Sequence, residues 1–337
     1  MSKQEHALVT GGAGFIGSHV AEELLKRGLR VTVLDDLSGG FLENVPAGAE
    51  FVKGSILDLP LIQDLFKNQN FNYVFHLAAY AAEGLSHFIK HFNYQNNLIG
   101  SVNLINASIN HEVRAFVFTS SIAVYGRNQL PLREDMIPVP EDSYGIAKLA
   151  VEQELRVSHE MFGLNYVIFR PHNVFGERQN IGDMYRNVVG IFMNQIVRGE
   201  ALTIFGDGTQ TRAFSYIRDV APVIAEAAFN ERVYGKTFNV GADIPISVKD
   251  LASEVCKVMR ATPKLQYLPE RNEVKHAFAS HDLLLEYFPN ARPKHSLEEG
   301  LVNMAEWVKK VGSRRGKPFS SIEVLKNMPP SWREVAK

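Results

Sequence analysis

The chain has 337 residues, of which 45% are hydrophobic, and its 36 basic and 37 acidic side chains leave a formal net charge of -1. A chain of this size can bury a large core, and its near-zero charge excludes a general attraction to nucleic acid or to a membrane surface. The single cysteine, Cys256, excludes an internal disulfide and a cysteine-based zinc site, which is typical of a reducing compartment. The polar start shows no signal peptide, and no apolar run of about 20 residues follows. We therefore expect a cytoplasmic protein with no nucleic-acid and no membrane partner.

Short apolar runs alternate with amphipathic stretches in the first half of the chain, which is typical of β-α units around a parallel sheet. The predicted strands are, in chain order, 7–9, 30–34, 50–53, 73–77, 115–119 and 166–169, and the predicted helices between them include 18–27, 98–110 and 146–162. This pattern predicts an α/β fold with a doubly wound parallel sheet of the Rossmann type.

The alternation breaks after about Gly176, where loop-rich segments appear before a strand returns near 237–240. We interpret this as a smaller C-terminal lobe interleaved with the sheet. The predicted division is residues 1–175 with about 214–242 for the Rossmann domain, and 176–213 with 243–337 for the lobe. Ligands of open parallel sheets bind beyond the carboxyl ends of the strands, so the lobe is expected to bind substrate. The basic stretch 311–337 receives no assigned role.

A glycine-rich loop follows the first predicted strand and opens a helix, with the sequence Gly11-Gly12-Ala13-Gly14-Phe15-Ile16-Gly17. Glycines permit a tight turn and close backbone approach, so a pyrophosphate can rest on free N–H groups at the helix start. Asp35 ends the second strand, where a carboxylate would bind an adenosine ribose and repel a 2′-phosphate; the alternative for Asp35-Asp36 is a solvated turn. The cofactor predicted is NAD, bound by Gly11, Gly14, Phe15, Ile16, Gly17 and Asp35.

Tyr144 and Lys148 stand four residues apart, and side chains at positions i and i+4 of a helix lie on one face of it. A free phenol has a pKa of about 10, so work as a base near neutrality needs a pKa about 3 units lower, or roughly 4 kcal/mol. We expect the Lys148 charge to supply much of this shift and the positive ring of an oxidised nicotinamide to supply more. Together with the glycine loop, the pair predicts a redox enzyme.

These motifs resemble the extended short-chain dehydrogenases/reductases, and within them the NAD-dependent nucleotide-sugar epimerases and dehydratases, from Leu8 to about Trp307. The resemblance implies a catalytic set of Ser121, Tyr144 and Lys148, since Ser121 precedes Tyr125 of Val124-Tyr125-Gly126 by four residues. It also implies a homodimer formed through the helices that contain 98–110 and 146–162. Further cofactor contacts implied by the resemblance are Asp58 and Leu59 at the adenine, Leu77, Ala78 and Ala79 near the ribose, Asn97 as a supporting asparagine, and Tyr144 and Lys148.

The two positions after Ser121 separate the reactions of the resembling enzymes. The 4,6-dehydratases place Asp and Glu there, the decarboxylating enzymes place Glu at the second position, and others use Cys. This chain has Ile122 and Ala123, which cannot transfer a proton. The resemblance then implies 4-epimerisation of a nucleotide-diphosphate sugar, most closely a UDP-hexose such as UDP-glucose, UDP-N-acetylglucosamine or UDP-glucuronate.

The resemblance also implies residues that bind this substrate. Arg212 and Arg271 correspond to diphosphate contacts, and Asn173 to a substrate-contacting asparagine. Glu273 corresponds to a ribose contact, although many relatives carry Gly-Asp where this chain has Asn272-Glu273. Arg178 stands where glucuronate-type relatives could meet a sugar carboxylate. The alternative for each arginine is a surface salt bridge.

Two other functions stay open on the sequence. One is an oxidoreductase that acts on nucleotide-diphosphate sugars with net turnover of NAD(H), and the other is a non-catalytic nucleotide sensor on the same fold. Sensors of this kind usually lose the tyrosine or the lysine, and both are present here. His76 is expected to be a hydrogen-bonded core histidine, and the spacing of the eleven histidines suggests no metal site.

Overall fold

In a computed structural model of the chain, the described residues are 4–270, 274–316, 319–329 and 332. They contain fourteen strands: β1 (His6–Thr10), β2 (Arg30–Asp35), β3 (Glu50–Lys53), β4 (Tyr73–His76), β5 (Ala115–Thr119), β6 (Tyr166–Pro171), β7 (Val174–Phe175), β8 (Leu202–Phe205), β9 (Thr211–Ala213), β10 (Ser215–Tyr216), β11 (Lys236–Val240), β12 (Pro245–Ser247), β13 (Leu265–Leu268) and β14 (His276–Ala277). The same residues contain eleven α-helices: α1 (Phe15–Lys26), α2 (Leu59–Gln69), α3 (Glu83–Ser86), α4 (Lys90–Tyr94), α5 (Gly100–Asn110), α6 (Ser143–Phe162), α7 (Val188–Val197), α8 (Ile217–Ala227), α9 (Val248–Met259), α10 (Asp282–Tyr287) and α11 (Leu297–Val311).

Seven parallel strands form the central sheet in the order β11-β6-β5-β4-β1-β2-β3. β1 pairs with β2 on one side, where Val9 lies opposite Val33, and with β4 on the other. The chain therefore winds outward from β1 in one direction and from β4 in the other, which opens a crevice at their carboxyl ends. The predicted doubly wound Rossmann-type sheet is confirmed.

Side chains alternate between the two faces of this sheet, as the period of a strand requires. Val9 and Val33 pack into a core that α1 and α8 cover, while Leu8 and Leu34 pack into a second core under α2, α5 and α6. Because both faces are buried, the central strands are continuous apolar runs without polar alternation. This explains why their positions are legible in the sequence.

The smaller lobe contains two short sheets, β8 with β13 and β12-β9-β14, together with α7, α9 and α11. Between its two halves the chain returns through α8, which packs on α1, and through β11, which pairs with β6. This is the interleaving that the sequence predicts, while the exact division into two domains stays a prediction. Within the part of the chain that the structure describes, every helix is too short or too polar to cross a membrane.

Helix α6 begins at Ser143, three residues before the predicted start. Asp142 caps it, because its carboxylate accepts a hydrogen bond from the Gly145 N–H at 2.8 Å. Gly145 also permits close contact with the preceding loop, since a Cβ there would lie 2.6 Å from the Ala123 carbonyl oxygen. The cap and this contact place Tyr144 in the first turn, directly beside the end of β5.

A buried ion pair joins α6 to the sheet. The Arg170 guanidinium on β6 donates to both carboxylate oxygens of Glu152, at 3.0 and 2.6 Å, and the two side chains are only 6% and 4% exposed. Ser120, just after β5, donates to the same carboxylate, and the guanidinium lies 4.6 Å from the centre of the Tyr125 ring. These contacts compensate the desolvation of both charges and fix α6 against β5 and β6.

We predict that Glu152→Gln lowers the free energy of unfolding by about 3 kcal/mol or more, because it leaves the Arg170 charge buried without a counterion. The matched control is Glu160→Gln on the same helix, which breaks only the exposed pair with Arg156 and is expected to lose about 0.5 kcal/mol or less. Urea unfolding of the three proteins measures the difference. Equal losses in the two variants would contradict a structural role for the buried pair.

Candidate active site

A cavity of about 1560 Å³ lies at the carboxyl ends of the central strands, between the sheet and the smaller lobe. This volume exceeds the roughly 300–1,000 Å³ of a typical small-molecule pocket and leaves room for two ligands. The structure brings most of the predicted site residues together along its wall. Those that line it are Gly11, Gly14, Phe15, Ile16, Gly17, Asp35, Leu77, Ala78, Ala79, Ser121, Tyr144, Lys148, Asn173 and Arg212.

The glycine loop makes the turn that the sequence predicts. Gly11 has a φ of +70°, and a Cβ there would lie 2.7 Å from the Ala78 nitrogen at the end of β4. A Cβ on Gly17 would lie 2.2 Å from the Gly11 carbonyl oxygen. Gly14 stands at the N-cap of α1 without a side-chain cap, so the first N–H groups of the helix stay available to a ligand. The loop therefore fits a pyrophosphate.

Asp35 lies at the cavity edge with its carboxylate held by the backbone. One oxygen accepts from the Ala13 N–H at 3.1 Å and the other from the Leu37 N–H at 2.8 Å. Burial raises the pKa of this carboxyl above its usual value, although the backbone bonds oppose the rise. Each oxygen keeps a lone pair for a further donor, so the group fits the two hydroxyls of an adenosine ribose.

Ser121, Tyr144 and Lys148 meet in the middle of the cavity. Ser121 caps a short 3₁₀ helix, Ile122–Tyr125, and its hydroxyl accepts from the Ala123 N–H at 3.1 Å and hydrogen bonds to the Tyr144 hydroxyl. The Lys148 ammonium donates to the Thr119 carbonyl oxygen at 2.8 Å and lies 5.7 Å from the centre of the Tyr144 ring. The three groups therefore act on one small volume beyond β5.

The pKa shifts of this pair differ from the expectation. Burial raises the pKa of Tyr144 above its ordinary value and the Glu83 charge raises it further, while the Ser121 hydrogen bond opposes them. Burial also lowers the pKa of Lys148 to about 7, so much of its charge is lost near neutrality. The prediction that Lys148 supplies much of the downward shift of Tyr144 is therefore wrong for the protein by itself. Desolvation favours the neutral form of both groups.

Ile122 and Ala123 line the cavity beside these three residues. Both side chains are hydrocarbon, so neither can exchange a proton. The cavity is also lined by two charged residues that sequence reasoning missed, Glu83 on α3 and Arg186, and both act electrostatically on Tyr144. No motif marked them, because they come from segments far apart in sequence.

Asn97 contributes to the site without lining the cavity. It is buried in a π-helical segment, Gln95–Ile99, and its side-chain amide bonds both the N–H and the carbonyl of Tyr80, at 2.8 and 3.1 Å. It therefore fixes the loop after β4, where Ala78 and Ala79 form the cavity wall. Asp58 caps α2 through the Leu61 N–H, at 3.1 Å. The cavity wall near α2 is formed by the preceding Ser55 and Ile56, and includes neither Asp58 nor Leu59.

The residues predicted to bind substrate divide into three groups. Asn173 and Arg212 line the cavity, and the Arg212 guanidinium is held by the carbonyl oxygens of Val274 and Lys275. Arg178 is separated from them, because its guanidinium pairs with Glu22 at 2.5 Å on the far side of α1. Arg178 therefore does not line the cavity that Asn173 and Arg212 share. Arg271 and Glu273 lie outside the described residues.

His76 is confirmed as a core histidine. Its two ring nitrogens are bonded to the hydroxyls of Thr10 and Ser101, at 2.7 and 2.8 Å, and burial lowers its pKa well below the ordinary value. It connects β4 to β1 and α5 behind the cavity wall.

A dinucleotide cleft with a serine, a tyrosine and a lysine at its centre defines an NAD-dependent enzyme of the short-chain dehydrogenase/reductase class. Comparison with known proteins assigns the chain to a particular family. Residues 7–241 match the NAD dependent epimerase/dehydratase family. The chain therefore belongs to this family.

Individual relatives agree with this assignment. The chain is 30% identical to a UDP-N-acetyl-alpha-D-glucosaminuronate decarboxylase of Bacillus cytotoxicus, over 91% of this chain and 99% of the relative. The structure of UDP-glucose 4-epimerase from Thermotoga maritima with UDP-glucose is 35% identical, with a TM-score of 0.85 over 91% of this chain and 99% of that one. The UDP-glucuronic acid 4-epimerase of Bacillus cereus, in complex with UDP-glucuronic acid and NAD, is 30% identical with a TM-score of 0.82 and the same coverage.

We predict that Lys148→Met stabilises the protein while abolishing its activity. Between pH 7 and 10.5 the unfolded chain binds more protons at this lysine than the folded chain, so its contribution to stability rises with pH across that window. Removing the buried amine is expected to raise the free energy of unfolding at pH 7 by about 1 to 3 kcal/mol, after the loss of its hydrogen bond.

Urea unfolding at pH 7 and pH 9.5, on protein stripped of bound nucleotide, measures this effect. The variant should also show a flatter pH dependence than the wild type. Lys67→Met, at an exposed lysine on α2, is the control and is expected to change stability by about 0.5 kcal/mol or less. A Lys148→Met protein less stable than wild type at pH 7 would refute the effect of burial.

Proposed function

We propose that the protein catalyses the 4-epimerisation of a UDP-hexose, by oxidation at C4 to a 4-keto sugar and re-reduction on the opposite face. The observation that carries the proposal is that Ser121, Tyr144 and Lys148 line one cavity and that the two residues after Ser121 in its wall are Ile122 and Ala123. These residues support redox chemistry at one hydroxyl and supply no second acid and base for elimination. Family membership and the two epimerase structures support the same conclusion.

The proposed proton path begins at the C4 hydroxyl of the sugar. Tyr144 accepts this proton, directly or through the Ser121 hydroxyl, which already shares a hydrogen bond with the phenol. NAD, when bound, supplies the acceptor for the two electrons and a positive nicotinamide ring, which lowers the pKa of Tyr144 against the effect of burial. Lys148, held by Thr119, orients the ribose of the nicotinamide and adds to this charge when protonated.

Inversion at C4 needs the keto sugar to turn about its diphosphate linkage. Firm contacts to the nucleotide and weak contacts to the hexose permit this. Arg212, held at the cavity by backbone carbonyls, is the proposed holder of the diphosphate, and Arg271 and Glu273 are proposed as additional contacts. Ile122 and Ala123 give the sugar a wall without hydrogen-bond donors, over which it can turn.

The sugar itself is proposed to be UDP-glucose, UDP-N-acetylglucosamine or UDP-glucuronate. The pairing of Arg178 with Glu22 removes one route to recognising a C6 carboxylate. Arg186 offers another, because it lines the cavity and its charge acts on Tyr144, even though its guanidinium also pairs with Asp183 at 2.8 Å. The comparison of the three sugars in one assay decides among them.

We also propose a homodimer formed through α5 and α6. The support is a group of apolar side chains on α6, at positions 146, 157, 161 and 162, that are 41% to 69% exposed. Sedimentation equilibrium should give twice the chain mass of 37.7 kDa. A mass of one chain would exclude the dimer.

Proton NMR tests the proposed reaction directly. The purified protein is incubated separately with each of the three UDP-sugars, first without and then with added NAD. Appearance of the C4-inverted sugar establishes the epimerase and names its substrate. Stoichiometric accumulation of NADH with an oxidised sugar would instead indicate net oxidoreduction, and no change in any tube would contradict the UDP-hexose proposal.

We predict that Tyr144→Phe lowers kcat about 100- to 10,000-fold, because it removes the proton acceptor and leaves the ring in place. Affinity for UDP should stay within about twofold of wild type, since the phenol is proposed to act on the sugar alone. Tyr267→Phe, at a tyrosine that is 51% exposed, is the control and should keep wild-type kcat. A Tyr144→Phe enzyme with more than a tenth of wild-type kcat would contradict the assigned role.

A further inference from the structure

The chain continues past α11 and crosses from the smaller lobe to the wall of the cavity. We call residues 319–329 and 332 the C-terminal strap. It is anchored at Glu323, whose N–H donates to the Phe88 carbonyl at 2.8 Å. The Glu323 carboxylate accepts from the N–H groups of His91 and Phe92, at 2.7 and 2.9 Å, where α4 begins. These bonds attach the strap to the segment that follows β4.

An apolar cluster fixes the other end of the strap. Met328 and Trp332 are 2% and 3% exposed and pack with Ala82, Leu85 and Ile89. The Trp332 ring lies edge-on to the rings of Phe88 and Tyr185, with centroids 6.2 and 5.2 Å away. Burial of two such large side chains stabilises the packing of the strap on the rest of the chain. The strap is therefore a packed part of the fold.

The strap lines the same cavity as the catalytic residues. Its members at the wall are Val324, Lys326, Asn327, Met328, Pro329 and Trp332. It backs α3 closely, because a Cβ on Gly84 would lie 3.3 Å from the Trp332 ring. Two residues further along α3, the Ser86 hydroxyl bonds the catalytic helix by accepting from the Tyr144 N–H at 3.1 Å. The strap thus lies across α3 from the turn of α6 that carries Tyr144.

We infer that the C-terminal strap is a specificity element for the sugar half of the substrate. The inference rests on the proposed function, in which the nucleotide half is held near Arg212. The strap supplies the outer wall of the hexose end, with Trp332 and Met328 fixing that wall and Lys326 and Asn327 offering polar groups to the ring hydroxyls. Loosening the strap weakens binding of a UDP-hexose and leaves binding of UDP unchanged.

Isothermal titration calorimetry tests this with UDP and with UDP-glucose, UDP-N-acetylglucosamine and UDP-glucuronate as probes. All titrations use the full chain saturated with NAD in a Tyr144→Phe background, in which turnover is predicted to be slowed about 100-fold or more. Trp332→Ala should weaken the best-bound UDP-sugar about tenfold or more and change UDP affinity less than twofold. Glu323→Gln, which weakens the backbone anchor without making a cavity, should show the same selectivity to a smaller degree.

Ser321→Ala, at an exposed position of the strap, is the control and should bind every probe like the parent protein. The inference is overturned if Trp332→Ala and Glu323→Gln bind UDP-sugar as tightly as the parent, or if both lose UDP and UDP-sugar equally. Should Trp332→Ala fail to fold, Glu323→Gln alone decides between these results. If the wild type inverts C4 of its UDP-sugar but the strap variants keep full affinity for that UDP-sugar, only the role of the strap is refuted. If the strap variants lose affinity for the UDP-sugar selectively but the wild type never inverts C4, only the proposed reaction is refuted.

Discussion

The burial of one charged stripe on α6 is the constraint on which the site depends. Tyr144, Lys148 and Glu152 follow each other at intervals of four residues, so they share a face that packs against the ends of β5 and β6. Each group is desolvated, and each is compensated differently: Glu152 by Arg170, Lys148 by the Thr119 carbonyl, and Tyr144 by Ser121. Because the Glu152–Arg170 pair holds α6 in place, Tyr144 and Lys148 can stay buried in surroundings that disfavour the charged form of each.

This arrangement explains why the buried Tyr144 becomes an effective base only when the oxidised cofactor is bound beside it. Burial raises the pKa of Tyr144 and lowers that of Lys148, so in the protein alone the phenol is neutral and much of the Lys148 charge is lost near neutrality. A positive nicotinamide ring in the same volume favours the phenolate, which couples base strength to the oxidised cofactor. Such coupling suits a reaction in which the proton and the two electrons leave C4 together and later return.

The sequence predicts the local features of the site better than its tertiary ones. Strand positions, the glycine loop, Asp35 and the Tyr144–Lys148 pair are legible because each is a local pattern with a strict geometric need. The direction of the pKa shifts of Tyr144 and Lys148 could not be predicted from the sequence, because burial is set by the packing of distant elements. The pairing of Arg178 with Glu22 and the place of the strap depend likewise on contacts across the fold. Among the residues that sequence reasoning missed, Glu152 is the one that a local pattern marks, because it continues the four-residue spacing of Tyr144 and Lys148.

The central claim is that the hydrogen removed from C4 returns to the same carbon on its other face within one binding event. The most direct measurement uses the UDP-hexose substrate carrying deuterium at C4, incubated in ordinary water with an excess of free NAD. The account predicts a C4-inverted product that retains its deuterium, with none in the water or in the free cofactor. Loss of the label to solvent, or its appearance in released NADH, would contradict the account.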